Sequence, residues 1–156
     1  MKKRITILLT LVVTALLLVS CTGSFKDIKV TSCDFVSLTP RGLSSFDAVM
    51  DIGVDNPAPQ LTLSKMYALV KMDQQPCLHL YADDVTISSR TEFVYPVSFH
   101  GTIDESFNPF TIFSILKGEN LESLTVDISF RGALKSGLGK NFEYKDIPIK
   151  DLIENK

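Results

Sequence analysis

The residues best suited to catalysis in this 156-residue chain are its two histidines, His79 and His100. A nucleophilic triad needs a histidine that is oriented by a carboxylate and faces a serine hydroxyl. Ser98 and Thr102 lie two residues to either side of His100, and side chains two apart on a strand share one face. No G-x-S-x-G nucleophile motif accompanies them. We interpret these residues as solvated side chains of a sheet, and we predict that the protein is not an enzyme.

Nucleotide and metal sites are also disfavoured by spacing. Gly132 to Leu138 spaces its glycines like a phosphate loop, but Leu138 stands where that loop needs lysine. Asp47, Asp51 and Asp55 share a strand face at intervals of about 13 Å, too far apart to share a Ca²⁺ ion with ligands at about 2.4 Å. Asp55 with nearby loop carbonyls remains a cation candidate, although a solubilising outer face is the favoured interpretation. We predict no metal, no nucleotide and no cofactor.

Hydrophobic periodicity predicts the elements that position these residues. Phe46, Ala48, Met50, Ile52 and Val54 alternate with mostly polar residues, which is typical of a strand with one buried face. Short strands separated by turns indicate an all-β fold, an antiparallel β-sandwich. The predicted strands are Ile28–Leu38, Ser45–Asp55, Leu63–Met72, Cys77–Ile87 (with a polar break at Asp83-Asp84), Glu92–Ile103, Leu124–Leu134 and Phe142–Ile149.

Two aromatic segments qualify that prediction. In the Glu92–Ile103 strand, Phe93 and Tyr95 are predicted to face the core, and Pro96 on the opposite phase indicates an edge or a bulge. One short helix is predicted at about 109–117, with Asn108 as N-cap, Pro109 in the first turn and Gly118 after the end. Phe107 and Phe110 are expected to pack under this helix, and an exposed aromatic patch is the alternative.

The N-terminus has the features of a secretory signal. Lys2, Lys3 and Arg4 precede the uncharged, mostly apolar stretch from Ile5 to Val19, which is short for a membrane span. The stretch ends in a motif that resembles the lipobox of bacterial lipoproteins: Leu18, Val19 and Ser20 followed by Cys21.

The resemblance implies a lipoprotein signal peptide at 1–20, diacylglycerol on Cys21, a lipidated tether at 21–27 and a domain at 28–153. A plain signal peptide or an uncleaved anchor is the alternative. Thr22 follows Cys21 and no acidic run succeeds it, so we expect the periplasmic face of the outer membrane. Cys33 and Cys77 then remain, either as a disulfide or, as we favour, as two small buried hydrophobes.

A second resemblance covers nearly the whole domain, from Ile28 to Ile149. The run from Met50 to Pro57, followed by Leu61, Leu63 and Tyr67 and later by Val94-Tyr95-Pro96-Val97, resembles the late embryogenesis abundant type 2 family, which includes the water stress and hypersensitive response domain. The resemblance implies an immunoglobulin or fibronectin type III-like sandwich with a short helix, a link to stress tolerance and no established enzymatic chemistry. It makes Asn56, Pro57, Tyr67 and Pro96 structural motif residues. Asp73-Gln74 stands where the family often has glycine.

Charge limits the possible partners. Without its three N-terminal basic residues, the chain has 13 basic against 18 acidic residues. This excess of acidic residues disfavours a surface that binds nucleic acid. We expect a non-enzymatic, lipid-anchored cell-envelope protein, either structural and stress-protective or partner-binding. The alternatives are an accessory subunit of an envelope complex and a module that binds a small apolar ligand or lipid. The expected partners are the membrane, through lipid on Cys21, and an envelope protein.

Overall fold

The fold is an all-β, sandwich-like arrangement of antiparallel strands, as predicted. The computed structural model describes residues 27–116 and 119–154. Within those ranges there are eight strands: β1 (Lys29–Pro40), β2 (Ser45–Asn56), β3 (Leu61–Met72), β4 (Gln75–Ala82), β5 (Val85–Ile87), β6 (Thr91–Ile103), β7 (Leu124–Leu134) and β8 (Gly139–Pro148). Helix α1 (Pro109–Leu116) and a 3-10 turn (Leu121–Ser123) separate β6 from β7, and helix α2 (Ile149–Glu154) follows β8.

The strands are hydrogen-bonded in the order β1-β2-β6-β4-β3-β7-β8, with β5 beside β3. β4 therefore joins two groups, β1-β2-β6 on one side and β3-β7-β8 on the other. The predicted strand Cys77–Ile87 is two strands, because the chain leaves β6 after Ala82 and pairs with β3 alone from Val85 to Ile87. Helix α2 was not predicted.

The core lies on the inner face of this sheet. Ala48, Met50, Ile52 and Val54 of β2 are at most 4 % exposed, so the predicted alternation is confirmed. The predicted alternation is also confirmed in β7, where the residues predicted to face inward are at most 5 % exposed: Leu124, Val126, Ile128 and Phe130.

A bulge shifts the buried phase of β3. Leu61 and Leu63 are buried, and then Met66, Ala68 and Val70 are buried one residue out of step. The register against β7 shifts between Ser64 and Tyr67, and Lys65 between them has a φ of 51°. One extra residue in a strand moves every later side chain to the other face.

The antiparallel strands give the sandwich two ends, which we name by their turns. The proximal end contains the start of β1 and the turns 57–60, 88–90 and 135–138. The distal end contains the turns 41–44 and 73–74 and the segments 104–116 and 119–123. Backbone bonds hold each end together, from Arg90 N–H to the Ala58 carbonyl at the proximal end and from Asp73 N–H to the Ser123 carbonyl at the distal end.

Two aromatic side chains are not placed as predicted. Phe93 is 59 % exposed, because β4 pairs with β6 only from Ile103 to Phe99 and does not reach its first residues. Phe110 is 76 % exposed, whereas Phe107 packs against the core. The Asn108 side chain caps the helix as expected, accepting the Phe110 N–H at 2.9 Å, and this fixes Phe110 in an exposed first turn. Residues 117 and Gly118 lie outside the described residues.

Candidate functional site

A hydrogen-bonded chain of side chains crosses the outer face of β3 and β4. The Tyr67 hydroxyl and His79 Nδ1 are 2.8 Å apart, and His79 Nε2 lies 2.7 Å from Asp104 Oδ2. The other oxygen of Asp104 accepts both the backbone N–H and the hydroxyl of Ser106. This order of tyrosine, histidine and carboxylate is the geometry of a proton relay.

The electrostatics of this chain do not favour nucleophilic chemistry. The hydroxyl of Ser106, and then the contact with His79, lower the pKa of Asp104 to about 2. Burial raises the pKa of Tyr67 above its ordinary value of 10.0. A tyrosine with a raised pKa is a poor nucleophile at neutral pH, because the reactive form is the phenolate. The chain therefore acts as a brace between β3, β4 and the end of β6.

His100 belongs to a second ion pair on the same outer face. Its Nδ1 lies 2.7 Å from Asp47 Oδ1, and Arg41 Nε donates to the other Asp47 oxygen at 2.6 Å. The pKa of Asp47 is lowered, first by His100 and then by Arg41. The His100 side chain is half exposed, consistent with the interpretation of solvated sheet residues. Its partner is Asp47 rather than the neighbouring Ser98 or Thr102.

Direct cross-strand pairs join the two histidine groups into one row across six strands. The two residues of each pair lie directly opposite each other on neighbouring strands, so their side chains share a face. The Tyr67 and Tyr81 rings are in contact at the centre, tilted by 38° with centroids 5.0 Å apart, and Tyr81 is half exposed. The row consists of Asp47, His100, Tyr81, Tyr67, Ser129 and Glu143.

A buried lysine extends the polar face towards the distal end. Lys71 is only 8 % exposed and contacts Asp127 at 2.9 Å and Asp146 at 2.5 Å. The contact with Asp146 is the main cause of the raised pKa of Lys71, which keeps the amine charged. Asp127 in turn accepts the Asp146 N–H at 2.8 Å, and this bond ties β7 to β8. A buried lysine is tolerated when its charge is paired in this way.

The inner face holds an apolar cavity in the proximal half of the sandwich. Its volume is about 30 Å³, room for one or two water-sized molecules, and its lining is almost wholly apolar. The Tyr95 hydroxyl accepts the Ser88 N–H at 2.9 Å. The lining residues are Ile52, Val54, Leu63, Met66, Val85, Ile87, Tyr95, Val97, Phe99 and Phe130.

The predicted motif residue Asn56 is a fully buried clamp at the proximal end. Its Nδ2 donates to the carbonyls of Pro59 at 3.2 Å and Ser88 at 3.0 Å, and its Oδ1 accepts the Ala58 N–H at 2.9 Å. These bonds fold the chain after Pro57 and hold it against the segment between β5 and β6. Asparagine is suited to this position because it offers donors and an acceptor together.

The remaining motif residues have separate positions. Tyr67 belongs to the His79 chain described above. Pro96 lies opposite Asp51 of β2, in the part of β6 that β4 does not reach. This part of β6 pairs with β2 alone among the described strands. Proline is accepted there, because an N–H on the unpaired side of the strand would make no ladder hydrogen bond. Of the four motif residues, Tyr67 thus lies in the hydrogen-bonded chain with His79 on the outer face. The other three, Asn56, Pro57 and Pro96, lie outside that chain.

Cys33 and Cys77 are both thiols rather than a disulfide. Cys77 is fully buried and donates to the Val70 carbonyl at 3.1 Å. Burial raises its pKa to about 12. It behaves as the small buried hydrophobe that we favoured, whereas Cys33 on β1 is half buried.

The described ranges contain no group of three or more metal-ligating side chains, counting histidine, cysteine, aspartate and glutamate. The Gly132–Leu138 segment forms the end of a hairpin, with the Leu134 N–H donating to the Leu138 carbonyl at 2.8 Å. No helix in 27–116 or 119–154 is long and apolar enough to cross a membrane. Leu18, Val19, Ser20 and Cys21 lie outside the described residues.

The sequence patterns do not predict the pairing of His79 with Asp104. The spacing of Asp104 and Ser106 is a signal for a turn in which an aspartate caps the backbone. It could have marked Asp104 as a capping residue. The contact between Asp104 and His79 depends on β4 lying beside β6, and no local sequence pattern encodes that strand order.

The fold and these sites together define an all-β sandwich-like domain with a polar, histidine-bearing outer face and an apolar cavity. No model of a known protein family matches the chain, and no curated protein matches its sequence. A solved structure described as a protein from Archaeoglobus fulgidus is similar, with a TM-score of 0.47 and 13 % identity over 75 % of this chain and 97 % of that one. Northeast Structural Genomics Consortium target SoR45 is similar with a TM-score of 0.34 and 10 % identity, over 80 % of this chain and 89 % of its own.

Proposed function

We propose that the protein is a lipid-anchored cell-envelope protein whose sandwich domain works without catalysis. Its role is structural and stress-protective, as the resemblance to the late embryogenesis abundant type 2 family implies, or it binds a partner protein. The observation that carries the proposal is Leu18-Val19-Ser20-Cys21 at the end of an apolar stretch, with β1 beginning eight residues later at Lys29. Each buried acyl CH₂ contributes about 0.8 kcal/mol, so two or three chains anchor the domain stably.

The geometry of the domain supports a non-catalytic role. Both histidines are engaged with aspartates on the outer face, and the Tyr67 hydroxyl beside His79 has a raised pKa. The apolar cavity lies on the opposite face of the sheet from both histidines. A reaction site would need reactive groups and a substrate cavity on the same side.

Fatty-acid labelling tests the anchor. Cells that express the protein are fed an alkyne analogue of palmitate, and the purified chain is conjugated to a fluorophore and analysed by mass. We expect label on the wild type and on Cys33→Ser, a control with another cysteine removed, and none on Cys21→Ser. Label on Cys21→Ser, or an unmodified N-terminal peptide in the wild type, would contradict the proposal.

Crosslinking in native membranes tests whether the domain is an adaptor. The tagged wild type and Cys21→Ser are crosslinked, captured and compared by mass spectrometry. One envelope protein that is enriched only with the wild type would favour partner binding, including the role of an accessory subunit. If no partner is enriched with the wild type, an autonomous protective role is favoured, which survival assays under desiccation and envelope stress then test.

Binding of a small apolar ligand or lipid is the second candidate function, favoured by the apolar cavity on the inner face of the sheet. Its lining would accept a hydrocarbon and would offer almost no hydrogen bonds to a polar ligand. Native mass spectrometry of protein purified from its own membrane tests this candidate. A bound apolar species would support it, and protein that is empty in repeated preparations would remove it.

A further inference from the structure

We propose that the proximal end of the sandwich faces and contacts the phospholipid bilayer in which Cys21 is anchored. The contact is made by three exposed apolar side chains, Phe93, Val94 and Leu138. This inference rests on the proposed lipid anchor and adds the orientation and the contact surface of the domain. Three observations carry it: the reach of the tether, the charge of the two ends and the position of the apolar residues.

The reach of the tether excludes the opposite orientation. Lys29 lies eight positions after Cys21, and an extended chain spans at most about 29 Å over those eight steps. β1 runs from Lys29 at the proximal end to Pro40 at the distal end, a distance of about 36 Å at 3.3 Å per residue. A domain that stood on its distal end would hold Lys29 about 36 Å above the membrane surface. The tether cannot span that distance.

The charges of the two ends differ in the same direction. The proximal turns 57–60, 88–90 and 135–138 contain two basic residues, Arg90 and Lys135, and no acidic residue. The strand ends beside these turns add two basic residues and three acidic ones: Lys29, Lys140, Asp27, Asp55 and Glu92. The proximal end is therefore slightly basic, with four basic against three acidic residues, whereas the distal turns 41–44 and 73–74 and the segments 104–116 and 119–123 contain five acidic residues against one basic one. A basic residue near an anionic bilayer contributes about 1 kcal/mol, and acidic residues are repelled by the same field. The proximal end is therefore the one that suits anionic phospholipid.

Apolar side chains at the proximal end are placed to meet that surface. Phe93 and Val94 at the start of β6 are 59 % and 49 % exposed, and Leu138 in the turn after β7 is 73 % exposed. The distal end also exposes Leu43 and Phe110. Exposure alone does not select an end, and the tether and the charge make the selection.

The same orientation brings the apolar cavity close to the bilayer. The Phe93 ring lies edge-on to Tyr95, with centroids 5.3 Å apart, and Tyr95 lines the cavity. Val54, Val85 and Ile87 also belong to the lining and lie near the proximal turns. Apolar species that leave the bilayer would therefore meet the cavity side of β6 first.

Depth-dependent fluorescence quenching tests the orientation. Leu138→Cys and Leu43→Cys are matched variants, because each replaces an exposed leucine in a hairpin turn, one at each end. Both are made in a Cys33→Ser background and labelled with an environment-sensitive dye. The buried Cys77 thiol does not compete for the dye, and Cys21 is blocked by its lipid. The full-length lipidated proteins are reconstituted into vesicles of phosphatidylethanolamine and phosphatidylglycerol that contain spin-labelled lipid.

We expect several-fold stronger quenching at position 138 than at position 43. Lys135→Glu should reduce the quenching at 138 without changing the vesicle-bound fraction, whereas Lys145→Glu on β8, with the same change in charge, should leave it unchanged. Equal quenching at the two positions, or stronger quenching at 43, would overturn the orientation and leave the lipid anchor intact. Protein that does not float with the vesicles would overturn both, because the tether argument needs the lipid.

Discussion

His79 Nε2 lies 2.7 Å from Asp104 Oδ2, and this contact connects the middle of β4 to the residue that directly follows β6. Asp104 also binds the hydroxyl and the backbone N–H of Ser106. One carboxylate thus holds the start of the segment that leads to α1. Loss of this carboxylate would remove the side-chain bonds between that segment and β4.

The first prediction concerns stability at acid pH. The pKa of Asp104 is lowered to about 2 from an ordinary 3.8, so the unfolded chain binds its proton at a higher pH than the folded chain does. The stabilisation by Asp104 is therefore complete above about pH 5 and is lost as the pH falls towards 2. Asp104→Asn should be less stable than the wild type at neutral pH, and the difference should shrink as the pH falls through this range.

Urea denaturation at a series of pH values measures this effect. The proton uptake on unfolding, read from the slope of stability against pH, should fall by up to about one proton in Asp104→Asn. Glu105→Gln is the matched control, because it removes the adjacent exposed carboxylate and leaves the Asp104 bonds in place. A slope in Asp104→Asn that equals the wild-type slope between pH 5 and 2 would refute the assignment.

The second prediction concerns the Asn56 clamp. Asn56→Ala leaves the Ala58 N–H and the Pro59 and Ser88 carbonyls without their side-chain partner. At about 1 kcal/mol for each lost bond, the free energy of unfolding should fall by about 2–4 kcal/mol. Asn141→Ala is the control, since Asn141 is exposed and its hydrogen bond with Arg131 is long, at 3.4 Å; it should change stability by less than about 0.5 kcal/mol.

Asn56→Asp separates the donor from the acceptor role. The carboxylate keeps the oxygen that accepts from Ala58, but it replaces the amide donor that faces two carbonyl oxygens. We expect it to be at least as destabilising as Asn56→Ala at neutral pH and to recover partly on acidification, when the protonated carboxyl can donate. If both variants matched the wild type in stability, the clamp would have no role in folding.

The third prediction concerns the hairpin between β3 and β4. Asp73 and Gln74 form its turn with φ values of 49° and 67°, as the two-residue turns of hairpins require. Gln74→Gly should relieve about 0.5–1 kcal/mol of backbone strain, because glycine adopts positive φ without steric cost. The lost hydrogen bond between the Gln74 side chain and Asp146 offsets part of this gain. Gly137→Ala is the reverse test: φ is 88° and no atom lies within 4 Å of the added carbon, so a loss of about 1 kcal/mol would come from the backbone alone.

Much of the fold follows from period-two patterns in the sequence. β2 and β7 each bury every second residue, so Met50 and Ile128 are assigned to the core from alternation alone. β3 shows where the pattern stops being informative. The extra residue at Lys65 shifts the buried set by one, and alternation predicts only the part after the bulge.

The outer-face site depends on strand order, which local patterns do not contain. His79 and Asp104 are 25 residues apart, and their contact needs β4 to lie between β3 and β6. Lys71 is a similar case, because it is buried only where Asp127 of β7 and Asp146 of β8 converge on it. Without the carboxylates of Asp127 and Asp146, burial of the charged Lys71 amine would be unfavourable.

The fourth prediction fills the apolar cavity. Val54 lines it and is 2 % exposed, so Val54→Ile adds one methylene towards about 30 Å³ of empty space. We expect stability to rise by about 0.8 kcal/mol, the value of one buried methylene. Val70→Ile is the matched control, since Val70 is equally buried on β3 but does not line the cavity. There the added methylene should cost about 1–3 kcal/mol through overpacking.

If stability rises in Val54→Ile and falls in Val70→Ile, there is empty space beside Val54 and tight packing around Val70. The same pair also bears on ligand binding, because a bound apolar molecule would occupy the space that Val54→Ile fills. If native mass spectrometry shows such a molecule on the wild type, it should be reduced on Val54→Ile and retained on Val70→Ile. A ligand retained equally by both variants would lie outside the cavity, and a loss of stability in Val54→Ile would mean that Val54 has no room to grow.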